Sequence, residues 1–332
     1  MTAGTYPNYG LAYNIYGLRE FAGEKCYVCN MDKIINISTV GDYDEYWGLE
    51  SRHPLVNVLE GSQVTRPIPN CRKNFGIYVV FLKDVRCADY LRYGRGEYDY
   101  QENTLVFVSP GQVFGYPADG STYQAKGWCL YFSPELLRRT QLGGHIKDYT
   151  FFSYNVNEAL HLSLQERNTI IDCLKKIDDE IRGGTDRHSN TIIASAIELF
   201  LNYCTRFYDR QFITRKRVNK DILMRFEDLL DSYFASGNPS RLGTPTVAWC
   251  ADRLHLSPNY FGDLIKKETG RSAQEYVQRK IMDTAKDLLS GTDKSIGEIA
   301  YALGYRYPQY FSRAFKKAVG CTPNEYRVDY DL

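Results

Sequence analysis

Histidine and cysteine, which often serve as catalytic groups or metal ligands, are scattered along this 332-residue chain rather than clustered. Its five histidines are far apart, and Cys26 and Cys29 form a lone C-x-x-C pair without a second pair or a neighbouring histidine, which is not the spacing of a metal site. Nine cysteines, an odd number, suit reduced thiols better than a disulfide framework. The sequence therefore predicts no catalytic residue, no metal and no cofactor.

Basic side chains, in contrast, recur in pairs. Lys266-Lys267 returns as Lys316-Lys317, 50 positions later. We expect these ammonium groups to contact phosphates, with a solvated helix end as the alternative. The charge balance agrees, because the chain from Arg215 onward carries 19 Lys+Arg against 15 Asp+Glu, a net +4, whereas the part before it carries 22 against 25, a net −3. This modest excess predicts moderate, salt-sensitive binding to a polyanion.

These pairs belong to a segment, Thr246 to Val328, whose pattern occurs twice. In each copy an apolar stripe at helical spacing, a turn and a second helix predict a helix-turn-helix. One such pattern is more often ordinary helix packing, but two at a fixed spacing favour a DNA-binding unit. The residues that return 49 or 50 positions later are Val247, Ala251, Leu254, Pro258, Tyr260, Phe261 and Gly270, as Ile296, Ala300, Leu303, Pro308, Tyr310, Phe311 and Gly320.

A single helix is predicted between the copies, because Ser272 to Ser290 has an apolar side and no interior Gly or Pro. About 18 residues at 1.5 Å each span on the order of 27 Å. With the flanking turns, this length approaches the roughly 34 Å between successive major-groove faces on one side of DNA. The second helix of each copy, which we name the first and the second reading helix, is therefore expected to enter one of two adjacent grooves.

The repeated segment resembles the DNA-binding domain of the AraC/XylS-type transcription regulators, in which a helix joins two helix-turn-helix units. The resemblance implies sequence-specific binding to double-stranded DNA, transcription regulation and, if the protein is an activator, contact with RNA polymerase. It covers about a third of the chain and rests on Ala-Asp-Arg-Leu at 251–254, Ser-Pro-Asn-Tyr-Phe at 257–261, Lys-Lys-Glu-Thr-Gly at 266–270, Leu-Gly-Tyr at 303–305, Tyr-Phe-Ser-Arg-Ala-Phe-Lys-Lys at 310–317 and Thr-Pro-Asn-Glu-Tyr-Arg at 322–327.

The resemblance also implies which residues touch DNA. Arg313 can bind guanine O6 and N7 in a bidentate manner, and Gln309 suits adenine. Gly262 and Asp263 stand where related regulators often carry a longer polar pair, so the first reading helix should discriminate between sequences less than the second. Base contacts are expected from Asn259, Tyr260, Gly262, Asp263, Gln309, Tyr310, Ser312 and Arg313, and phosphate contacts from Lys266, Lys267, Lys316 and Lys317.

Residues 31–153 show short β-rich runs between turn residues and predict an all-β barrel or sandwich, after a loosely ordered leader at residues 1–30. Placed before a DNA-binding segment, and with Pro110-Gly111-Gln112 after a strand, this domain resembles the cupin-like sensor domain of the same regulators. The expected strands span 33–37, 55–59, 76–83, 87–93, 97–100, 104–108, 112–116 and 127–132.

A barrel offers a concave mouth in which a small molecule can bind. For any one residue near it, packing in the core or exposure at the surface is the more common role. The candidate ligand-binding residues, all on or beside predicted strands, are Tyr78, Arg92, Tyr98, Trp128 and Tyr131.

A helical hairpin is predicted for residues 154–213, beginning with a capping box from Ser163 to Glu166. In AraC-type regulators helices at this position dimerise, whereas the alternative is that both only cover the barrel. A polar linker at Arg215-Lys-Arg217 then leads into the DNA-binding domain, residues 214–332. The expected fold class is α+β: a cupin-like barrel, a helical hairpin, and an all-α domain with two helix-turn-helix units joined by a helix.

Together these patterns predict a transcription regulator that binds DNA as a homodimer and responds to a small-molecule effector. Two alternatives remain: an N-terminal half that only sets the oligomeric state or senses a protein partner, and an enzyme fused to a DNA-binding domain, either a cupin catalyst or a thiol acceptor of DNA alkyl groups. The longest apolar run, Ile77 to Leu82, is too short to span a bilayer, and the first residues lack a secretory signal. We expect a cytoplasmic protein without a membrane partner.

Overall fold

The computed structural model describes residues 19–21, 24–26, 34–83, 103–116, 118–155, 158–184 and 186–330. The expected strands 87–93 and 97–100 lie outside these residues, as does most of the expected leader. Within the leader the structure describes a short antiparallel hairpin of β1 (Arg19–Phe21) and β2 (Glu24–Cys26), which the sequence does not predict.

A five-stranded antiparallel sheet forms the centre of the N-terminal half, in the order β12-β8-β7-β11-β4. A three-stranded sheet and a two-stranded pair share a core with its inner face. The central strands are β4 (Val56–Glu60), β7 (Tyr78–Lys83), β8 (Thr104–Val108), β11 (Trp128–Phe132) and β12 (Leu160–His161), and the others are β3 (Ile35–Ile37), β5 (Ile68–Pro69), β6 (Arg72–Phe75), β9 (Val113–Gly115) and β10 (Thr122–Tyr123).

The predicted β-rich fold is confirmed by these strands. Each expected strand within the described residues begins and ends within two residues of an observed one. The sequence does not predict β5, β6, β10 and β12, which are short or carry several polar residues.

The central sheet has apolar side chains on both faces, because successive residues of a strand point to opposite sides. Val79, Val106 and Tyr131 belong to the inner core of the β-rich part. Val80 and Phe132 belong to a second core, which the sheet shares with helices. Since both faces are covered, the strands read as continuous apolar runs rather than as alternating ones.

A helix that the sequence does not predict, α1 (Val40–Trp47), closes the inner core. Its run of Tyr, Asp and Gly is typical of a loop, but Val40, Tyr43 and Trp47 lie on one face at helical spacing and are buried. Thr39 and Asp42 form a capping box at its start. These are the local signals that identify the helix.

Short helical turns between Pro134 and Ser153, with α2 (Gln141–His145), lead to the predicted hairpin of α3 (Leu164–Arg182) and α4 (Ser189–Thr214). The capping box of Ser163 and Glu166 at the start of α3 is confirmed. Buried residues of α3 and α4 share one core with the outer face of the central sheet. Covering the sheet, one of the two expected roles, is thus observed, and dimerisation stays a prediction.

The described part of the C-terminal half is helical, and α5 follows α4 with only Arg215 between them, so the expected polar linker is much shorter than predicted. The two reading helices are α8 and α11, and α9 joins the helix-turn-helix units. Ala251 and Ala300 are fully buried in the first helix of each unit. The helices are α5 (Lys216–Ala235), α6 (Asn238–Leu242), α7 (Val247–Arg253), α8 (Pro258–Thr269), α9 (Ala273–Gly291), α10 (Ile296–Ala302), α11 (Pro308–Val319) and α12 (Pro323–Tyr330).

Among the helices that the structure describes, none combines the length and the apolar character needed to cross a bilayer.

Candidate nucleic-acid interface and ligand cavity

Each of the two reading helices begins at a proline and is followed by a glycine. Pro258 and Pro308 occupy the first helical turn, where a missing N–H breaks no hydrogen bond. Gly270 and Gly320 follow the last turn with φ of 72° and 99°, a conformation that glycine adopts without strain. The basic side chains of both last turns, where the helix dipole favours positive charge, are Lys266, Lys267, Lys316 and Lys317.

The second reading helix, α11, presents most of its predicted DNA contacts to solvent. Phe311 and Phe315 are fully buried and fix the helix on the core. Ser312 is half-buried, and its hydroxyl donates to the carbonyl of Pro308 at 3.1 Å. The exposed side chains are Gln309, Tyr310, Arg313, Lys316 and Lys317.

The first reading helix, α8, is partly covered. The ring of Tyr260, which is 5% exposed, packs edge-on against Tyr154 with the ring centres 5.2 Å apart. The carboxylate of Asp263 accepts hydrogen bonds from the hydroxyls of Thr150 at 2.7 Å and Tyr154 at 2.6 Å. The expected base contacts of Tyr260 and Asp263 are therefore blocked in this conformation, because the N-terminal half holds both side chains. Gly262 is half-buried, and the exposed residues are Asn259, Lys266 and Lys267.

The turns of the two helix-turn-helix units both need a positive φ. His255 has a φ of 60°, and Gly304, the matching residue 49 positions later, has a φ of 90°. Histidine tolerates this region better than a branched residue does, so His255 can stand where the second unit has glycine without losing the turn. Both units therefore keep the same change of direction between their helices.

A cavity of about 100 Å³ lies in the β-rich part, between the inner face of the central sheet and α1. Burial raises the pKa of the Cys129 thiol on its wall, against the lowering effect of the Lys73 and Lys83 ammonium groups. Both lysines line the cavity. A cavity of about this size admits a molecule of only a few heavy atoms. The lining is mainly aromatic and basic, and these residues are Tyr43, Trp47, Lys73, Phe75, Phe81, Lys83, Phe114, Tyr116, Tyr123, Lys126 and Trp128.

The predicted ligand-binding residues are not brought together around this cavity. Trp128 lines it. Tyr131 is fully buried, and its hydroxyl donates to Asp44 at 2.5 Å. Tyr78 lies on the outer face of the sheet, where its ring stacks on Phe132 with the centres 5.0 Å apart. Arg92 and Tyr98 lie outside the described residues.

The cavity residues that sequence reasoning misses include two on α1 and one on β6. Tyr43 and Trp47 lie on the unpredicted helix, and Lys73 is the 5% exposed residue between two more exposed ones on an unpredicted strand. The helical spacing of Val40, Tyr43 and Trp47 is the signal that could have identified Tyr43 and Trp47. For Lys73 the sequence offers no such signal, because a lysine in a polar strand normally points to solvent.

Two family models match the chain: a helix-turn-helix domain over residues 250–328 and an AraC-like ligand binding domain over residues 88–197. The uncharacterized HTH-type transcriptional regulator YtdP of Bacillus subtilis (strain 168) is 46% identical over 82 residues, which are 25% of this chain and 11% of YtdP. Another uncharacterized HTH-type transcriptional regulator, YijO of Escherichia coli (strain K12), is 26% identical over 228 residues, which are 68% of this chain and 75% of YijO.

Among solved structures, the chain is similar to the C-terminal domain of AraT, a response regulator from Geobacillus stearothermophilus. The two are 35% identical over 32% of this chain and 84% of that one, with a TM-score of 0.29. Of the two relatives named above, the chain spans about a tenth of the length of YtdP and three quarters of that of YijO.

Proposed function

We propose, from the premise that the chain belongs to the AraC family of transcription regulators, that its two reading helices bind adjacent major grooves of one DNA duplex and that a small molecule in the N-terminal half alters this binding. The observation that carries the proposal is the exposed row on α11, where Gln309 and Arg313 lie one helical turn apart on the same face. An amide and a guanidinium so placed fit the edges of adenine and guanine.

Footprinting of the full-length protein, on duplexes that it enriches from a randomised library, tests this function. We expect two protected segments about one helical turn apart, with the bases under α11 more tightly constrained than those under α8. A library without enrichment would contradict DNA binding, and a single isolated footprint would contradict the use of both helices.

In this proposal each domain has its own role. We assign DNA binding to residues 214–332 and effector binding to residues 31–153, with residues 154–213 between them. Phosphate contacts come from Lys266, Lys267, Lys316 and Lys317, whose ammonium groups lie at the ends of the reading helices. If the regulator activates transcription, RNA polymerase is its protein partner, and the cytoplasm is where it would meet both.

The cavity beside α1 is the proposed effector site. Ala125 lines it, so Ala125→Phe would fill a space of about 100 Å³. A small-molecule library screened by thermal shift is expected to contain ligands that raise the melting temperature of the wild type by several degrees, because they bind the folded state. The Ala125→Phe variant should lose this shift, whereas Ala235→Phe, at an exposed helix end, should keep it. Equal shifts in both variants would place the ligand elsewhere.

A homodimer through α4 is also proposed. Ile192 and Leu199, two turns apart on this helix, are 48% and 45% exposed and lie on the same face, where they form an apolar pair that a second copy could cover. Leu199→Asp is expected to weaken self-association at least about tenfold, since a carboxylate in an apolar interface loses its hydration. Sedimentation equilibrium measures this change. Leu164→Asp, at a 74% exposed leucine that begins α3, is the matched control and should leave the association unchanged.

We propose that the protein is a regulator without catalytic activity. The thiol-acceptor alternative needs a reactive thiolate, but burial raises the pKa of the thiols of Cys173 and Cys204, and that of Cys250 to about 11. Cys71 is fully buried, and Cys29 lies outside the described residues. A methyl-transfer assay on alkylated DNA would detect an acceptor activity directly.

A further inference from the structure

The two reading helices are copies of one pattern, yet their matched side chains differ in exposure. Tyr260 is 5% exposed, whereas Tyr310, at the same position of the second copy, is 55% exposed. The residues before the helices differ in the same direction, because Ser257 is 3% exposed and Tyr307 is 43% exposed. The second copy thus serves as an internal reference, and the covering of α8 is not a property of the helix-turn-helix itself.

The cover over α8 comes from the N-terminal half. Besides the contacts of Thr150 and Tyr154 with Tyr260 and Asp263, the ring of Phe212 on α4 lies 5.2 Å from that of Tyr260. The ammonium group of Lys267 pairs with Asp209 of α4 at 2.7 Å. Tyr260, Asp263 and Lys267 follow each other at helical spacing, so the contacts cover one face of the helix along most of its length.

A carboxylate closes the beginning of the same helix. Glu158, which is 2% exposed, accepts hydrogen bonds from the backbone N–H of Ser257 at 2.6 Å and from the Ser257 hydroxyl. The backbone N–H of Asn155 donates to the same carboxylate at 2.6 Å. Burial raises the pKa of Glu158, against the lowering effect of the hydrogen bonds from Ser257 and Asn155. The Glu158 carboxylate therefore accepts hydrogen bonds from Asn155 of the N-terminal half and from Ser257 of the C-terminal half.

The start of a reading helix is a place where proteins bind DNA phosphates, because its free N–H groups and the positive end of the helix dipole attract anions. Glu158 puts a carboxylate at that place. Asp209 does the same for Lys267, one of the expected phosphate contacts. The N-terminal half therefore offers α8 two anionic groups where DNA would offer two phosphates.

We infer that Thr150, Tyr154, Glu158, Asp209 and Phe212 form a docking surface that competes with DNA for the first reading helix. The inference rests on the proposed function, because it takes α8 to be a DNA-reading helix. The docked chain is the state of low DNA affinity, and binding through both helices requires the release of α8. A ligand that binds the released form better than the docked form raises the affinity for DNA by that difference.

The test compares full-length variants on one duplex, enriched by the wild type from a randomised library, by fluorescence anisotropy at fixed salt. Glu158→Gln keeps the side-chain volume but turns an N–H donor toward groups that also donate. Thr150→Val with Tyr154→Phe removes both donors to Asp263. Each variant is expected to bind about tenfold more tightly than the wild type, because the released fraction increases.

The matched control is Tyr149→Phe, whose lost hydroxyl donates to Asn202 at 3.0 Å within the N-terminal half. It removes the same kind of hydrogen bond without touching α8, so its affinity for the duplex should equal that of the wild type. A gain equal to that of Glu158→Gln would mean that any loosening of the N-terminal half raises the affinity, which would overturn the assigned surface.

Amide hydrogen exchange of the wild type, with and without the duplex, gives a second measurement that needs no variant. Bound DNA is expected to slow exchange in residues 257–267 and to speed it in residues 149–155. Unchanged affinities together with continued protection of residues 149–155 on DNA would overturn the competition while leaving the proposed function intact. If neither the wild type nor any variant enriches a duplex, the proposed function fails and this inference fails with it.

Discussion

Replacing Gly304 by alanine is expected to lower the free energy of unfolding of the C-terminal half by about 2 to 4 kcal/mol, from left-handed strain and overpacking together. Gly304 turns the second helix-turn-helix with a φ of 90°. A Cβ there would lie 2.6 Å from the carbonyl carbon of Gly243 and 2.7 Å from the backbone nitrogen of Thr244. Because these are backbone atoms, they cannot rotate away as the tip of a side chain would. Urea unfolding followed by helical circular dichroism measures the loss.

Gly320→Ala is the matched control. Its φ of 99° imposes a similar strain, but in the described structure nothing lies within 4 Å of the added Cβ. We expect a loss of about 1 kcal/mol from strain alone. The difference between the two variants isolates the close approach to Gly243 and Thr244. Equal losses would show that the loop after α6 moves aside, and that this approach contributes nothing to the packing.

Arg313→Ala is expected to weaken binding to the selected duplex by about 1 to 3 kcal/mol, or roughly 5- to 150-fold, and to relax the preference at one base pair. The reason is the loss of a guanidinium that can bond guanine O6 and N7 together. Anisotropy titrations with the duplex and its single-base variants, at fixed salt, measure both changes.

Lys317→Ala distinguishes base-specific recognition from non-specific electrostatic binding to phosphates. This exposed lysine lies in the last turn of the same helix, and its loss should weaken binding to all duplexes by a similar factor and lower the salt slope by about 1. If Arg313→Ala also lowers the affinity for all duplexes equally, α11 binds DNA without recognising its sequence, and its assigned role is wrong.

The C-terminal fold could be predicted because its local signals agree with each other. The stripes of Val247, Ala251 and Leu254, with Ser257 and Pro258 after the turn, specify the helices within a few residues, and the second copy repeats them. Helix caps and apolar periodicity depend on neighbours in the sequence, so they need no knowledge of distant contacts.

The side-chain environments could not be predicted in the same way. Asp263 is held by Thr150, 113 positions away in the sequence, and no local pattern encodes such a contact. Tyr78 is a different case, because the two faces of its strand are both apolar and periodicity does not say which face meets the cavity. The α1 helix is missed because its Gly, Asp and Tyr residues are typical of a loop, and its apolar stripe has helical spacing but is only two turns long.

The contact between Glu158 and Ser257 joins residues 99 positions apart, and its acceptor is synthesised first. At the usual rate of about 5 to 20 residues per second, the N-terminal half leaves the ribosome roughly 5 to 20 seconds before the first reading helix is complete. Every residue of the docking surface, from Thr150 to Phe212, is therefore synthesised before the first residue of α8. If α8 docks as inferred, each chain would complete its synthesis in the state of low DNA affinity, and binding through both reading helices would come only after release.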